Sequence, residues 1–176
     1  MISTKSLKLL WAAVAVAAIP STASAAELFG GLYVHDVDTP LTKSGIEGGA
    51  DIMVGLRGGR IGGTPLQPYA FVAVNSSGET NYGAIGVSAK FGNRLYIRPG
   101  VGLAVHTGSA RNFQDPTNDR IDFGSRILFE PEVAVGARLN GRLSLEASWV
   151  HISHATLLSR QNPGMDNFGL RLNLKL

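Results

Sequence analysis

The chain has 176 residues, no cysteine and a formal net charge of +3, which leaves room for one domain and excludes disulfides and thiol catalysis. Removing residues 1–25 takes away Lys5 and Lys8 and no acid, leaving 14 Lys+Arg against 13 Asp+Glu, so the charge points to no nucleic-acid partner. Those 25 residues have the layout of a secretory signal peptide: two lysines, an apolar run over 9–19, and Ala23-Ser24-Ala25 as a small-residue site with cleavage after Ala25. The apolar run falls short of the roughly 20 residues that a membrane helix needs. The remaining residues, 26–176, are expected to form the folded domain.

From there on the pattern has a period of two, broken by turn signals, which argues for strands throughout. A first strand is expected near 27–36 and a second near 46–58, where Ala50, Ile52, Val54 and Leu56 oppose Asp51, Met53, Gly55 and Arg57. Strands near 66–75 and 81–91 follow, then one near 94–107 with Ile97, Val101, Leu103 and Val105 on one side and Arg98, Gly100, Gly102 and Ala104 on the other. A long one is expected near 122–139, another near 142–153, and a last near 166–176. In that last strand Phe168, Leu170, Leu172, Leu174 and Leu176 share a face opposite Gly169, Arg171, Asn173 and Lys175. The segments Phe91-Gly92-Asn93 and Asn140-Gly141 read as tight hairpin turns. Longer polar connections alternate with them, notably 106–121 and 154–165.

Eight antiparallel strands close into a barrel in two ways. A soluble ligand-binding barrel turns its apolar face inward, whereas a membrane barrel turns it outward around a narrow polar interior. Three features favour the eight-stranded transmembrane barrel of the outer-membrane type. The aliphatic face runs to the final residue, the other face mixes Gly and Ala with charges of both signs, and short turns alternate with long loops. In lipid, a chain without membrane helices has only the closed barrel to satisfy its backbone. Eight strands leave no aqueous channel, so Arg126, Glu130, Glu132, Arg138, Glu146, Arg171 and Lys175 read as lumen ion pairs rather than a catalytic cluster.

The penultimate strand breaks its own pattern. Leu143, Leu145, Ala147 and Trp149 share a face, and His151 and Ser153 continue it where the alternation calls for apolar residues. Asp166, read back from Phe168, has the same parity on the neighbouring strand. A serine hydroxyl becomes a useful nucleophile when a base takes its proton, and two strand residues of one face lie about 6.5–7 Å apart along the backbone. A carboxylate on the far ring nitrogen would fix the imidazole tautomer. Such a set cleaves esters without metal or cofactor. Against it stands the plain alternative that polar residues at a barrel rim are ordinary; His106 and His154, taken singly, read as loop or rim residues rather than metal ligands.

The stretch His151-Ile-Ser153-His154-Ala155, then Asn162-Pro-Gly164-Met-Asp166 and an alternating final strand, resembles the lipid A 3-O-deacylase (PagL) family. The resemblance covers roughly the last 80 residues. It implies an eight-stranded barrel of the bacterial outer membrane that hydrolyses the ester-linked acyl chain at the 3-position of lipid A in lipopolysaccharide. Carried over by position, it implies Ser153 as nucleophile, His151 as general base and Asp166, where the family has a glutamate, as the orienting acid. It further implies an oxyanion role for Asn162 and for His154. The family pattern His-x-Ser-Asn-Ala-Gly is departed from at His154 and Thr156, which stand in place of Asn and Gly. A homodimer is suggested by the resemblance alone. Arg111, Arg120 and Arg160 fall in loops where lipid A phosphates would lie, though solvation is the plainer reading of each. Two other functions fit the same scaffold: a non-enzymatic structural or adhesive barrel, and a phospholipase or general esterase. No Gly-x-Ser-x-Gly elbow, His-Glu-x-x-His or phosphate-binding loop is present.

Overall fold

The computed structural model describes residues 26–40, 42, 45–157 and 162–176; the expected signal peptide and Arg160 lie outside the described residues. Among the described residues nine strands occur in chain order: β1 Glu27–Val34, β2 Ala50–Arg57, β3 Leu66–Asn75, β4 Tyr82–Ala89, β5 Phe91–Gly92, β6 Leu95–His106, β7 Ile127–Arg138, β8 Leu143–Ile152 and β9 Met165–Lys175. The two-residue β5 pairs with β6 just beyond the end of β4, so β4 and β5 together make one stave. Every neighbouring pair is antiparallel, and β9 returns to β1 with Leu28 opposite Leu174 and Val34 opposite Phe168. The sheet therefore closes on itself as an eight-stave barrel without a free edge.

The direction of the side chains separates the two barrel types. Leu32 is 64% exposed, Ile85 66% and Leu170 57%, and the aliphatic alternation of each strand faces outward. Inside are Phe29, Tyr33, Tyr69, Phe71, Tyr82 and Tyr96, stacked over buried charges. Arg171 donates to Glu146 at 2.6 Å and to Glu132 at 2.7 Å; Arg98 donates to Glu146 at 3.0 Å and to Glu27 at 3.1 Å; Arg57 reaches Glu27 at 2.9 Å. Ions in so enclosed a space persist only when paired, and here the pairing interlocks three arginines with three glutamates. The lumen is filled, as eight staves require.

The pairing differs in part from the sequence expectation. Glu132, Glu146 and Arg171 are in the network, while Glu130 accepts a hydrogen bond from Tyr69 instead of an ion pair. Arg138 and Lys175 are exposed at the short-turn end. Arg126 donates to the backbone carbonyls of His106 and Gly108 at the long-loop end. Arg57 and Arg98 are the partners the sequence left unassigned. Small residues make the space: a Cβ on Gly136 would lie 2.3 Å from the Tyr96 ring, so a side chain there would evict the tyrosine.

Two strands are shorter at the loop side than their alternation predicts. β1 stops at Val34 because Asp36 turns the chain with a positive φ of 49°. β7 starts at Ile127 rather than 122, after Gly124 at φ 78°. The long connections β1–β2, β6–β7 and β8–β9 all emerge at one end of the barrel, and the site lies on the outer wall beside two of them.

Candidate active site

Trp149 and His151 point outward from β8, and Asp166 occupies the outward register on β9, directly opposite His151. Ser153 lies one residue past β8 yet keeps the ladder going, exchanging backbone hydrogen bonds of 2.7 and 3.0 Å with Phe129 of β7. That pairing holds the hydroxyl on the same outward side as the imidazole. Nε2 of His151 is 2.9 Å from Ser153 Oγ, and Nδ1 is 2.8 Å from Asp166 Oδ1. The carboxylate only accepts, so Nδ1 carries the proton and Nε2 presents its lone pair to the serine hydroxyl. The sequence brought these three together by parity, and the structure brings them within hydrogen-bond range.

Asp166 is held more tightly than parity alone foretells. Its Oδ1 also accepts from the indole Nε1 of Trp149 at 2.7 Å. Its Oδ2 accepts from Thr39 Oγ1 and, at 3.1 Å, from Thr42 Oγ1. Four donors thus converge on one carboxylate, which is wholly buried, while the His151 side chain retains 12% exposure. The threonines arrive from the β1–β2 connection, more than 120 residues away in sequence, and no local signal marks them. Trp149 carried a signal that parity read only as apolar: it is two residues before His151 on one face. Gly164 is the other missed contributor. A Cβ there would sit 2.7 Å from His151 Cε1 and 3.0 Å from Thr42 Cγ2, so a glycine lets the loop close against the imidazole.

The β1–β2 connection is itself anchored. Asp36 Oδ2 accepts from the backbone amides of Gly45, Ile46 and Glu47 at 2.8–3.0 Å, and the Val37 amide donates to the Asp166 carbonyl at 2.7 Å. Beside it, buried His35 bonds Asp51 at 2.9 Å and Glu47 at 3.2 Å. Burial opposes charge on the imidazole, but the hydrogen bonds and charges of Asp51 and Glu47 outweigh it and raise its pKa to about 9. Burial likewise opposes the Glu47 charge, and the bonds from His35, Ile121 and Thr80 hold that carboxyl below its usual range.

The two expected oxyanion residues are placed differently from Ser153, His151 and Asp166. Asn162 Oδ1 accepts from the His154 amide at 3.1 Å and so fastens the turn after Ser153. The His154 ring is fully buried, with both nitrogens lacking a partner among the described residues. Ala155 and Thr156 follow with φ of 52° and 58°. A β-branched residue is strained there, and it is the position where the family pattern has glycine. Arg111 is 66% exposed and pairs with Asp115 at 3.2 Å. Among the described residues no cluster of His, Asp and Glu is arranged to hold a metal.

A hydroxyl, an imidazole and a carboxylate in this order can activate an oxygen nucleophile and return its proton to a leaving group. The family described as lipid A 3-O-deacylase (PagL) matches residues 60–175, a span that contains His151, Ser153 and Asp166 and excludes Thr39 and Thr42. The chain belongs to that family. In overall shape it is similar to the crystal structure of the outer membrane enzyme PagL, at 15% identity, a TM-score of 0.58, and coverage of 85% of this chain and 99% of that one. It is also similar to a de novo designed transmembrane β-barrel, at 10% identity and a TM-score of 0.56, covering 90% of this chain and all of the other. At those identities the likeness concerns the fold. No curated protein sequence matches the chain. As a PagL-family protein it is an eight-stave barrel of the outer membrane.

Proposed function

We propose that this protein removes the ester-linked acyl chain at the 3-position of lipid A, using Ser153 as nucleophile, His151 as general base and acid, and Asp166 as the orienting carboxylate. The observation that carries this reading is the continuous Ser153–His151–Asp166 chain of 2.9 and 2.8 Å on the outward side of β8 and β9. We assign that side to the outer leaflet, so that the substrate's acyl chains arrive sideways through hydrocarbon and meet the nucleophile where a lumen residue would be out of reach. An N-terminal signal peptide over residues 1–25 belongs to the same proposal.

As Ser153 Oγ attacks the ester carbonyl, its proton passes to His151 Nε2, and Asp166 stabilises the resulting imidazolium. The tetrahedral intermediate collapses, the sugar oxygen departs with the proton from Nε2, and the acyl group stays on Ser153. Water then attacks the acyl-serine with the same imidazole as base, releasing a fatty acid and restoring the hydroxyl. The turn carrying His154, fastened by Asn162, is assigned to the oxyanion side of the reacting carbonyl; a donor lost there costs about 10²–10³ in rate.

Mass spectrometry of lipid A from cells expressing the wild type or Ser153→Ala tests the reading. The wild type should yield lipid A lighter by one hydroxyacyl chain, and the variant should not. Unchanged lipid A in both would leave a structural or adhesive barrel. Release of fatty acid by the purified wild type from phospholipid vesicles but not from lipid A would make it a phospholipase.

A further inference from the structure

We infer that Trp149 is a positioning residue of the catalytic acid: its indole N–H fixes the rotation of the Asp166 carboxylate so that Oδ1 stays aimed at His151. The inference rests on the esterase reading above and deepens it. Trp149 and His151 are next-but-one neighbours on the outward face of β8, and both donate to the same oxygen, Oδ1, at 2.7 and 2.8 Å. The two rings lie side by side, centroids 5.8 Å apart and inclined by 32°. The indole is therefore braced along the imidazole while its nitrogen reaches past to the carboxylate of the adjoining strand.

The need for such a brace follows from the acid itself. An aspartate has one methylene fewer than the glutamate of the family pattern, so its carboxylate stays close to the β9 backbone. A half-turn about its terminal bond returns an identical carboxylate, so what must be held is the angle at which an oxygen meets the imidazole N–H, and donors on both oxygens hold it. Oδ2 meets hydroxyls, from Thr39 and Thr42, which can both donate and accept. Oδ1 meets the indole, which can only donate. The indole is thus a partner that enforces the character of the position as an acceptor, and it does so at the oxygen that sets the imidazole tautomer. An apolar residue of the same parity would keep the wall of the site and lose this constraint.

The test uses purified full barrels in detergent micelles with lipid A, comparing wild type, Trp149→Phe, Asp166→Asn and the double variant. Phenylalanine retains an aromatic ring and removes the N–H. Trp149→Phe should lower kcat about tenfold with KM within about twofold of wild type. In the Asp166→Asn background the same change should cost at least tenfold more than it does alone, because the amide, no longer pinned, can present its NH₂ to Nδ1. Non-additivity of that size identifies coupling between the two residues. Retained gel-mobility shifts on boiling would show that the barrels are folded. An unchanged kcat, an effect confined to KM, or additive losses in folded barrels would overturn the inference. Activity persisting in Ser153→Ala would instead overturn the esterase reading, so the two failures are distinct.

Discussion

Replacing Asp166 by asparagine offers a test of how the site fixes its tautomer. The substitution keeps size and hydrogen-bond count and removes the charge. In a triad whose acid can turn freely, asparagine is free to direct NH₂ at the imidazole, which flips the tautomer and costs about 10⁴ in kcat. Here the surroundings decide otherwise. The Trp149 N–H, 2.7 Å from Oδ1, would oppose an NH₂ placed at the same point. The Thr39 and Thr42 hydroxyls on the other oxygen can accept from an NH₂ by turning. Asparagine is therefore expected to settle with its carbonyl toward His151 and its amide nitrogen toward the threonines, with the tautomer intact.

What remains is the loss of charge. An imidazolium and a carboxylate about 4 Å apart between charge centres interact by about 4 kcal/mol at an effective dielectric of 20. Taken as a ceiling, that corresponds to about 10³ in rate. Asp166→Asn should thus lower kcat by about 10²–10³, measured as acyl release from lipid A by the purified barrel, and remain clearly above Ser153→Ala. A fall of 10⁴ or more, level with Ser153→Ala, would show that the amide had turned and that neither the indole nor the threonines direct it.

Three further outcomes follow from the same contacts. Gly164→Ala places a methyl 2.7 Å from His151 Cε1 and should displace the imidazole from Ser153, lowering kcat about 10- to 100-fold while the barrel keeps its gel-mobility shift. Thr156→Gly relieves a β-branched residue at φ 58° and should raise the unfolding free energy by about 1 kcal/mol in urea titrations, with activity undiminished. The His35 pKa is raised to about 9 from 6.5, so its contribution is complete below pH 6.5 and is lost as pH rises through 9. Tm should fall between pH 7 and 10 in the wild type, and His35→Gln should flatten that fall.

The parts of this protein legible in its sequence are those that repeat over short distances. Alternation exposes the outward aliphatics because each residue's side is set by its neighbours, and two polar residues breaking that alternation at His151 and Ser153 are visible for the same reason. Asp166 is reachable because parity on a hairpin-linked strand is equally local: His151 and Asp166 are opposed in register. What stayed hidden depends on closure. Thr39 and Thr42 reach Asp166 only because β9 pairs with β1, which brings a loop 124–127 residues distant onto the same wall. Arg98 meets Glu27 across the lumen for a like reason, since a filled interior couples strands that are not sheet neighbours. Trp149 belongs to both groups: its direction is readable from period two, but its apolar bulk conceals the donor that the neighbouring strand uses. A family pattern compares residues position by position and so registers Asp166 as a shortened acid. The folded wall supplies the other half of that comparison: an indole two residues before His151 on the same strand, and hydroxyls from a loop that lies outside the matched span, crowd around the shorter side chain.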